Sequence, residues 1–195
     1  MQVEIHEEPI ERLAEQALVP SRFRVERVYE VTPLEGGLGG LTLVERALDA
    51  PYVKDYDAAS HANAPETWAK KFDVSRWGLL TARAGARRVG GAVVAFNTTG
   101  ADMLDGRRDM AELWDIRVAA ELRRAGVGTL LFEAAERWAL ARGCRVLKIE
   151  TQNINVAACR FYASRGCVLG AVHRFAYPEL PEEAMLLWYK HLAGA

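Results

Sequence analysis

Two different periodicities meet between Met110 and Arg142, across a short glycine-bearing loop, and no other stretch of the chain restricts the fold as much. Met110 to Val118 (MAELWDIRV) reads as a strand. Gly128 to Arg142 reads as a helix, with Leu131, Ala134, Ala135, Trp138 and Ala141 on one face and Gly143 as its stop. Between them runs Val118-Ala-Ala-Glu-Leu-Arg123-Arg124-Ala125-Gly126-Val127-Gly128-Thr129. A helix that opens directly from such a loop offers an anion site. Its first amides lack partners, and the aligned peptide dipoles place about half a positive charge at that end. Gly126 and Gly128 omit the Cβ atoms that would hold a phosphate away from the backbone. Arg123 and Arg124 add mobile positive charge. Taken alone, a glycine pair before a helix reads at least as readily as a plain structural turn. A Walker loop is excluded, because no Lys-Ser/Thr follows the glycine. A dinucleotide-binding unit would place three glycines at the strand end and an acid ~20 positions later, which this segment does not do.

The flanking segments set the fold class. Arg22 to Val31 alternates as a half-buried strand with one misplaced charge, Thr32 to Gly40 is a glycine-rich turn, and Leu41 to Leu48 resumes the strand pattern. Glu4 to Leu18 reads as a short helix with a mixed face, and Pro51 to Phe72 as helix and loop. Trp77 to Arg83 and Val89 to Phe96 form a strand pair around an Ala-Gly-Ala-Arg-Arg turn. After the central helix come a strand at Val146 to Thr151, a helix at Val156 to Arg165 ended by Gly166, and strands at Val168 to Val172 and Ala184 to His191. An antiparallel opening followed by this alternation predicts a mixed α/β sheet in one domain.

The totals bound what that domain can do. Half of the 195 residues are hydrophobic, enough for a substantial core. Lys and Arg number 25 against 26 Asp and Glu, so no global charge draws the chain to nucleic acid or to an anionic membrane. No run approaches the ~18 apolar residues of a membrane span, and the acid-rich start lacks the apolar core of a signal peptide. A soluble, cytoplasmic protein is expected. Cys144, Cys159 and Cys167 fit neither CxxC nor zinc-ligand spacing and read as reduced packing thiols. His6, His61, His173 and His191 are scattered without ligand spacing, so no metal is expected.

Arg123-x-x-Gly126-x-Gly128, placed between a strand and a long helix, resembles the acetyl-coenzyme A signature of the GNAT superfamily of N-acetyltransferases. One strand later, Asn155-x-x-Ala158-x-x-Phe161-Tyr162-x-x-x-Gly166 resembles that family's second motif. The resemblance covers roughly Trp77 to Leu192. It implies a central twisted, mostly antiparallel sheet with a splayed parallel pair, flanked by helices. It also implies a single domain, with an acceptor-side part about 1–76 and a coenzyme-binding core about 77–192. Acetyl-CoA would be the cosubstrate. Its pyrophosphate would rest on the amides of Arg124, Ala125, Gly126, Val127, Gly128 and Thr129, with Arg123 beside them. Backbone groups near Ile116, Arg117 and Val118 would serve the pantetheine arm and the oxyanion. Asn155 would cap the second helix or bond the pantetheine, in a motif completed by Ala158 and Phe161.

Acetylation of an amine has its own requirements. An alkylammonium titrates near 10.4, so only about one molecule in a thousand is neutral at pH 7 and a base must remove the proton. The departing thiolate needs a proton. The family resemblance assigns that donation to Tyr162, which would otherwise read as a packing aromatic next to Phe161. Two carboxylates precede the loop as candidate bases. Glu112 matches the place of the catalytic glutamate in histone-type members of the family, whereas Asp115 faces the other way in a regular strand unless a bulge changes the parity. A water, another acid, or pairing of these carboxylates with Arg117 or Lys148 remains open.

The acceptor side is suggested by a narrower likeness. Ile149 to Tyr162 (IETQNINVAACRFY), Trp114-Asp-Ile-Arg-Val118, Leu187-Trp188-Tyr189 and Ala50-Pro-Tyr52-Val-Lys-Asp55-Tyr56 resemble streptothricin acetyltransferases, although the long acidic insertion of some of those enzymes is missing. The acceptor implied is a small-molecule amine, the β-lysine amine of streptothricin. A cationic acceptor favours acids and aromatic faces, which Asp55, Asp57, Tyr52, Tyr56, Trp77 and Trp114 could supply. Tyr52 and Trp77 equally suit a core, and the aspartates a solvated surface. A polyamine, a small amine metabolite or a peptide N-terminus are alternative acceptors. A non-catalytic acyl-CoA sensor and a different anion-binding module are alternatives outside catalysis. The sequence does not decide between monomer and homodimer.

Overall fold

A computed structural model describes residues 2–59 and 64–192. His61 and the rest of residues 60–63 lie outside the described residues. The strands are β1 (Glu4–Glu8), β2 (Phe23–Pro33), β3 (Leu41–Lys54), β4 (Gly78–Ala84), β5 (Arg87–Phe96), β6 (Met110–Val118), β7 (Val146–Gln152), β8 (Val168–His173) and β9 (Met185–His191). The helices are α1 (Tyr56–Ala59), α2 (Pro65–Lys71), α3 (Val127–Leu140) and α4 (Val156–Ser164). Seven strands form one sheet in the order β1-β4-β5-β6-β7-β9-β8, and β2 and β3 form a two-stranded sheet. The large sheet is antiparallel except for the pair β6 and β7, so the expected mixed α/β architecture is present. Among the described residues no helix is long and apolar enough to cross a membrane.

Two compact units share the chain. The first takes residues 2–22, 55–59, 64–148 and 191–192 in its described part. Strands β4, β5 and β6 form its meander, and each face of it is covered differently. Helix α3 packs on one face through Leu131, Phe132, Ala135 and Trp138, all buried. Two glycines let it approach. A Cβ on Gly78 would lie 2.4 Å from the Trp138 ring, and one on Gly90 would lie 3.1 Å from Leu131. Ala141, expected on the apolar face, is exposed because α3 ends at Leu140. On the opposite face a cluster of Leu13, Trp68, Trp77, Leu79, Val93 and Ala95 forms under α2 and a 3-10 helix at Ile10–Leu18.

That 3-10 helix corrects the expectation of a helix from Glu4 to Leu18. Glu4–Glu8 instead pairs antiparallel with β4, from Glu4 opposite Arg83 to Glu8 opposite Leu79. An edge strand tolerates charges on its open side, and Pro9, which lacks an amide hydrogen, separates strand from helix.

The second unit takes residues 23–54 and 149–190. Its β2–β3 pair corrects the sequence boundary at Leu48, since β3 runs on to Lys54. The ladder jumps from Arg27 opposite Ala47 to Val25 opposite Tyr52. Pro51 therefore falls in the bulged stretch, where its missing amide hydrogen breaks no ladder bond. Asn153 fastens the pair to the end of β7. Its carbonyl accepts from Tyr29 N at 2.9 Å, its Nδ2 donates to Tyr29 O at 2.9 Å, and its Oδ1 accepts from Ala184 N at 2.7 Å. Lys54 and Glu183 make a buried ion pair at 2.5 Å.

Candidate active site

In the first unit, the end of β6 becomes the expected loop. After a 3-10 turn at Ala120–Leu122, Arg124 and Gly126 take left-handed φ values of 67° and 88°, and α3 begins at Val127. Gly126 thus serves as the N-cap in a conformation that costs a side chain strain. No heavy atom lies within 4 Å of where its Cβ would stand. The first turn of α3 contains no acidic residue, so no carboxylate of that turn competes for the positive end of the helix. Val127 is buried beneath this turn, while Ala125 is exposed and Gly128 and Thr129 are half-buried. Arg123 is less mobile than the sequence suggests. Its Nε donates to Val118 O at 3.2 Å and its Nη2 to Arg22 O at 2.8 Å. Both bonds go to carbonyls, so they fix the guanidinium without neutralising it.

Strand β6 also carries the two candidate bases. Its ladder with β5 passes from Asp115 opposite Val93 to Leu113 opposite Val94, leaving Trp114 as the extra residue of a bulge. The bulge reverses the parity of a regular strand. Glu112, Asp115 and Arg117 lie opposite Ala95, Val93 and Gly91 and therefore share one face. Ile116 and Val118, opposite Ala92 and Gly90, take the other.

On the shared face Arg117 is the hub of a charge network. Its Nε donates to Asp115 Oδ1 at 2.9 Å and Oδ2 at 3.0 Å, and its Nη1 to Asp57 Oδ2 at 3.0 Å and Val19 O at 3.2 Å. Gln16 donates to Asp115 Oδ1 at 2.7 Å. Asp57 is held further by Ser21, whose backbone N donates to Oδ2 at 3.1 Å, and Asp55 Oδ1 accepts from Asp57 N at 3.0 Å. Burial pushes the Asp115 carboxyl above its ordinary value, while the charge and hydrogen bonds of Arg117, then Gln16, pull it back. Burial alone would lower the Arg117 guanidinium, but Asp115 and Asp57 outweigh it and the net direction is up. Two carboxylates, Asp115 and Asp57, thus pair with one cation, and Asp55 braces Asp57 at its backbone amide. Glu112 is buried on the same strand face.

Aromatic rings complete this side of the unit. Trp114 touches Trp77 at 4.9 Å, Phe72 at 5.1 Å and Trp68 at 6.2 Å between ring centroids. Trp77 is buried, stacked on Phe72 at 5.7 Å, with its indole N–H donated to Thr98 Oγ1 at 2.6 Å. Trp114 is only half-buried. Tyr56 opens α1 one residue before Asp57.

In the second unit, Asn155 caps α4, its Oδ1 accepting from Ala158 N at 3.1 Å. About two turns from that cap, Tyr162 is buried, with its ring 5.6 Å from Phe161 and 6.5 Å from Trp188. Tyr52 stands opposite Val25 on β3 and is 41% exposed. Partial burial and then the nearby Glu183 charge raise its hydroxyl's pKa. The structure draws attention to three residues for which sequence reasoning had no role. Tyr177, between β8 and β9, donates its hydroxyl to Glu150 Oε1 at 2.5 Å, and Gln152 Nε2 donates to the Tyr177 oxygen at 2.9 Å. The available signal was the acid and amide alternating along Ile149-Glu150-Thr151-Gln152; Tyr177, in a loop, carried none.

Comparison with known proteins gives concordant results. The profile of the acetyltransferase (GNAT) family matches residues 42–167. Streptothricin acetyltransferase A of Bacillus subtilis (strain 168) is 42% identical over 77 residues, which is 38% of this chain and 44% of that protein. Streptothricin acetyltransferase of Escherichia coli is 38% identical over 84 residues, 42% of this chain and 48% of that one. The alignments therefore span less than half of each relative. Among solved structures, nourseothricin acetyltransferase superposes with a TM-score of 0.75 at 22% identity, covering 99% of this chain and 100% of that one. A Bacillus anthracis structure described as a streptothricin acetyltransferase in complex with acetyl coenzyme A gives 0.73 at 24% identity, covering 99% of each chain.

Proposed function

Because this chain belongs to the acetyltransferase (GNAT) family, we propose that it transfers an acetyl group from acetyl-CoA to a primary amine of a small cationic acceptor. The two curated relatives, both streptothricin acetyltransferases, favour the β-lysine amine of streptothricin as that acceptor, with antibiotic resistance as the consequence. The observation that carries the reading is the ordered pair of motifs: Gly126 and Gly128 opening α3 after β6, then Asn155 to Tyr162 capping and forming α4 after β7. In this reading the whole chain acts as one acetyltransferase domain. Its place is the cytoplasm, which suits its three buried free cysteines.

When bound, acetyl-CoA supplies an acyl group activated as a thioester. The helix start fits its pyrophosphate: Gly126 presents no side chain, the α3 amides point outward, and no acid stands in the first turn. Arg123, fixed by two carbonyls, adds an unneutralised charge beside the loop. A backbone amide near Arg117 or Val118 stabilises the oxyanion. Tyr162 donates the proton that the leaving thiolate requires.

Of the two β6 carboxylates, we assign the base to Glu112, directly or through water. Both oxygens of Asp115 accept from Arg117, which makes it a counter-charge for that guanidinium. The acidic excess around Arg117 and the half-buried face of Trp114 suit a cationic acceptor.

Coenzyme binding and turnover can be tested separately. Gly128→Trp, which fills the pyrophosphate path, should abolish the melting shift with acetyl-CoA. A folded Gly128→Trp protein that still shows the shift would refute the loop assignment. Tyr162→Phe should lower kcat about a hundredfold or more with acetyl-CoA affinity within a few-fold; an unchanged rate would remove Tyr162 from the mechanism.

A further inference from the structure

Among the described residues of the second unit one carboxylate is buried, Glu183, and two are half-buried, Glu45 and Glu150. Two of the three are balanced by cations. Glu45 engages Arg27 and Arg160, and Glu183 engages Lys54. Glu150 is bonded by neutral groups alone. The Tyr177 hydroxyl donates to Oε1 at 2.5 Å, and the Gln152 amide reaches the same oxygen at 3.4 Å while donating to the Tyr177 oxygen at 2.9 Å. No lysine, arginine or histidine pairs with Glu150 among the described residues.

Partial removal of a carboxylate from water has a free-energy cost that a matching cation offsets. Here the fold orients the group but leaves its charge unmatched. Both neutral donors converge on Oε1, which fixes the plane of the carboxylate and leaves Oε2 for another donor. A strand position gives that geometry little freedom, because Glu150 and Gln152 stand two apart on the same side of β7. This is the arrangement expected of a site whose counter-ion arrives with a ligand.

We propose that Glu150 binds an alkylammonium group of the acceptor through Oε2, with Tyr177 and Gln152 as positioning residues. The inference deepens the acetyl-transfer reading and rests on it for the identity of the ligand as an amine.

Glu150→Gln keeps the size of the side chain and removes its charge. Calorimetric titration with spermidine and with streptothricin should show amine binding weakened by about ten- to a hundredfold, as for loss of a charge-assisted hydrogen bond. Acetyl-CoA affinity should stay within about twofold. Tyr177→Phe should weaken amine binding by several-fold, and the loss of affinity on raising salt should be smaller in Glu150→Gln than in the unsubstituted protein. Equal amine affinity with and without Glu150, or no amine binding by the unsubstituted protein, would overturn the proposal. So would a parallel loss of acetyl-CoA binding in Glu150→Gln. Thiol release followed in the same samples separates the two readings. Glu150-dependent amine binding without any thiol release would remove the acetyl-transfer reading and leave the ammonium site standing.

Discussion

Asp115 on β6 and Glu150 on β7 are both half-buried carboxylates on strands of the same sheet, yet the chain treats them oppositely. Around Asp115 it provides Arg117 on both oxygens and Gln16 on one, and it extends the network to Asp57. Around Glu150 it provides a tyrosine hydroxyl and an amide, with no cation among the described residues. The first group is satisfied from within and so belongs to the architecture. The second is oriented without being neutralised and so is available to a ligand. Partial burial alone does not mark a functional acid. The identity of its partners does.

The sharpest way to break this contrast is to remove the partner. Arg117→Met strands Asp115 and Asp57 without a cation and should cost about 3–5 kcal/mol in chemical denaturation, whereas Glu150→Gln should change stability by about 0.5 kcal/mol or less. Should Arg117→Met fail to accumulate folded, Asp115→Asn with Arg117→Met together should recover part of the loss, as coupled groups do. Similar stabilities for Arg117→Met and Glu150→Gln would erase the distinction. Next in size is Gly91→Ala. Gly91 faces Arg117 in the ladder, and a Cβ there would stand 2.1 Å from Gln16 Oε1. The displaced glutamine should cost about 1–3 kcal/mol, read from the same denaturation curves. In the second unit, Asn155→Ala should remove the cap of α4 for about 1 kcal/mol. A much larger loss would mean that Asn155 holds more than the helix start.

The smallest expected effect compares the units through their cysteines. Burial pushes the Cys144 thiol of the first unit up to about 11 and the Cys159 thiol of the second up to about 12. Because these values lie above the unfolded value of about 9, the stability linked to them is present below that pH. It is lost as pH rises through the folded values. Alkylation of the native protein at about pH 8 should therefore be slow at both sites, with Cys144 reacting first as pH rises. Rapid native labelling of Cys159 ahead of Cys144 would show the second unit opening more readily than the first.

Much of the fold was legible because its punctuation is local. Strand β6 has the bounds that MAELWDIRV suggests, and helices α3 and α4 stop near Gly143 and Gly166, both at positive φ. What escaped reading is non-local. The parity of Asp115 depends on a bulge at Trp114 that only the ladder with β5 reveals. The course of β3 through Pro51 depends on a register jump against β2. Glu4–Glu8 is a strand because β4 offers it an edge, which its own acidic residues do not announce. At the candidate site the glycine-bearing helix start and the Asn155 cap are legible locally, since backbone approach and capping are set within a few residues, whereas the role proposed for Tyr162 comes from the family resemblance. Tyr177 could not, because it meets Glu150 across a separation of 27 residues.

The central claim is tested most directly by following thiol release from acetyl-CoA with purified protein, with and without streptothricin. Fast, saturable release that requires streptothricin is the predicted result. Absence of release with streptothricin and with every other cationic amine tried, in a protein that still binds acetyl-CoA, would contradict it.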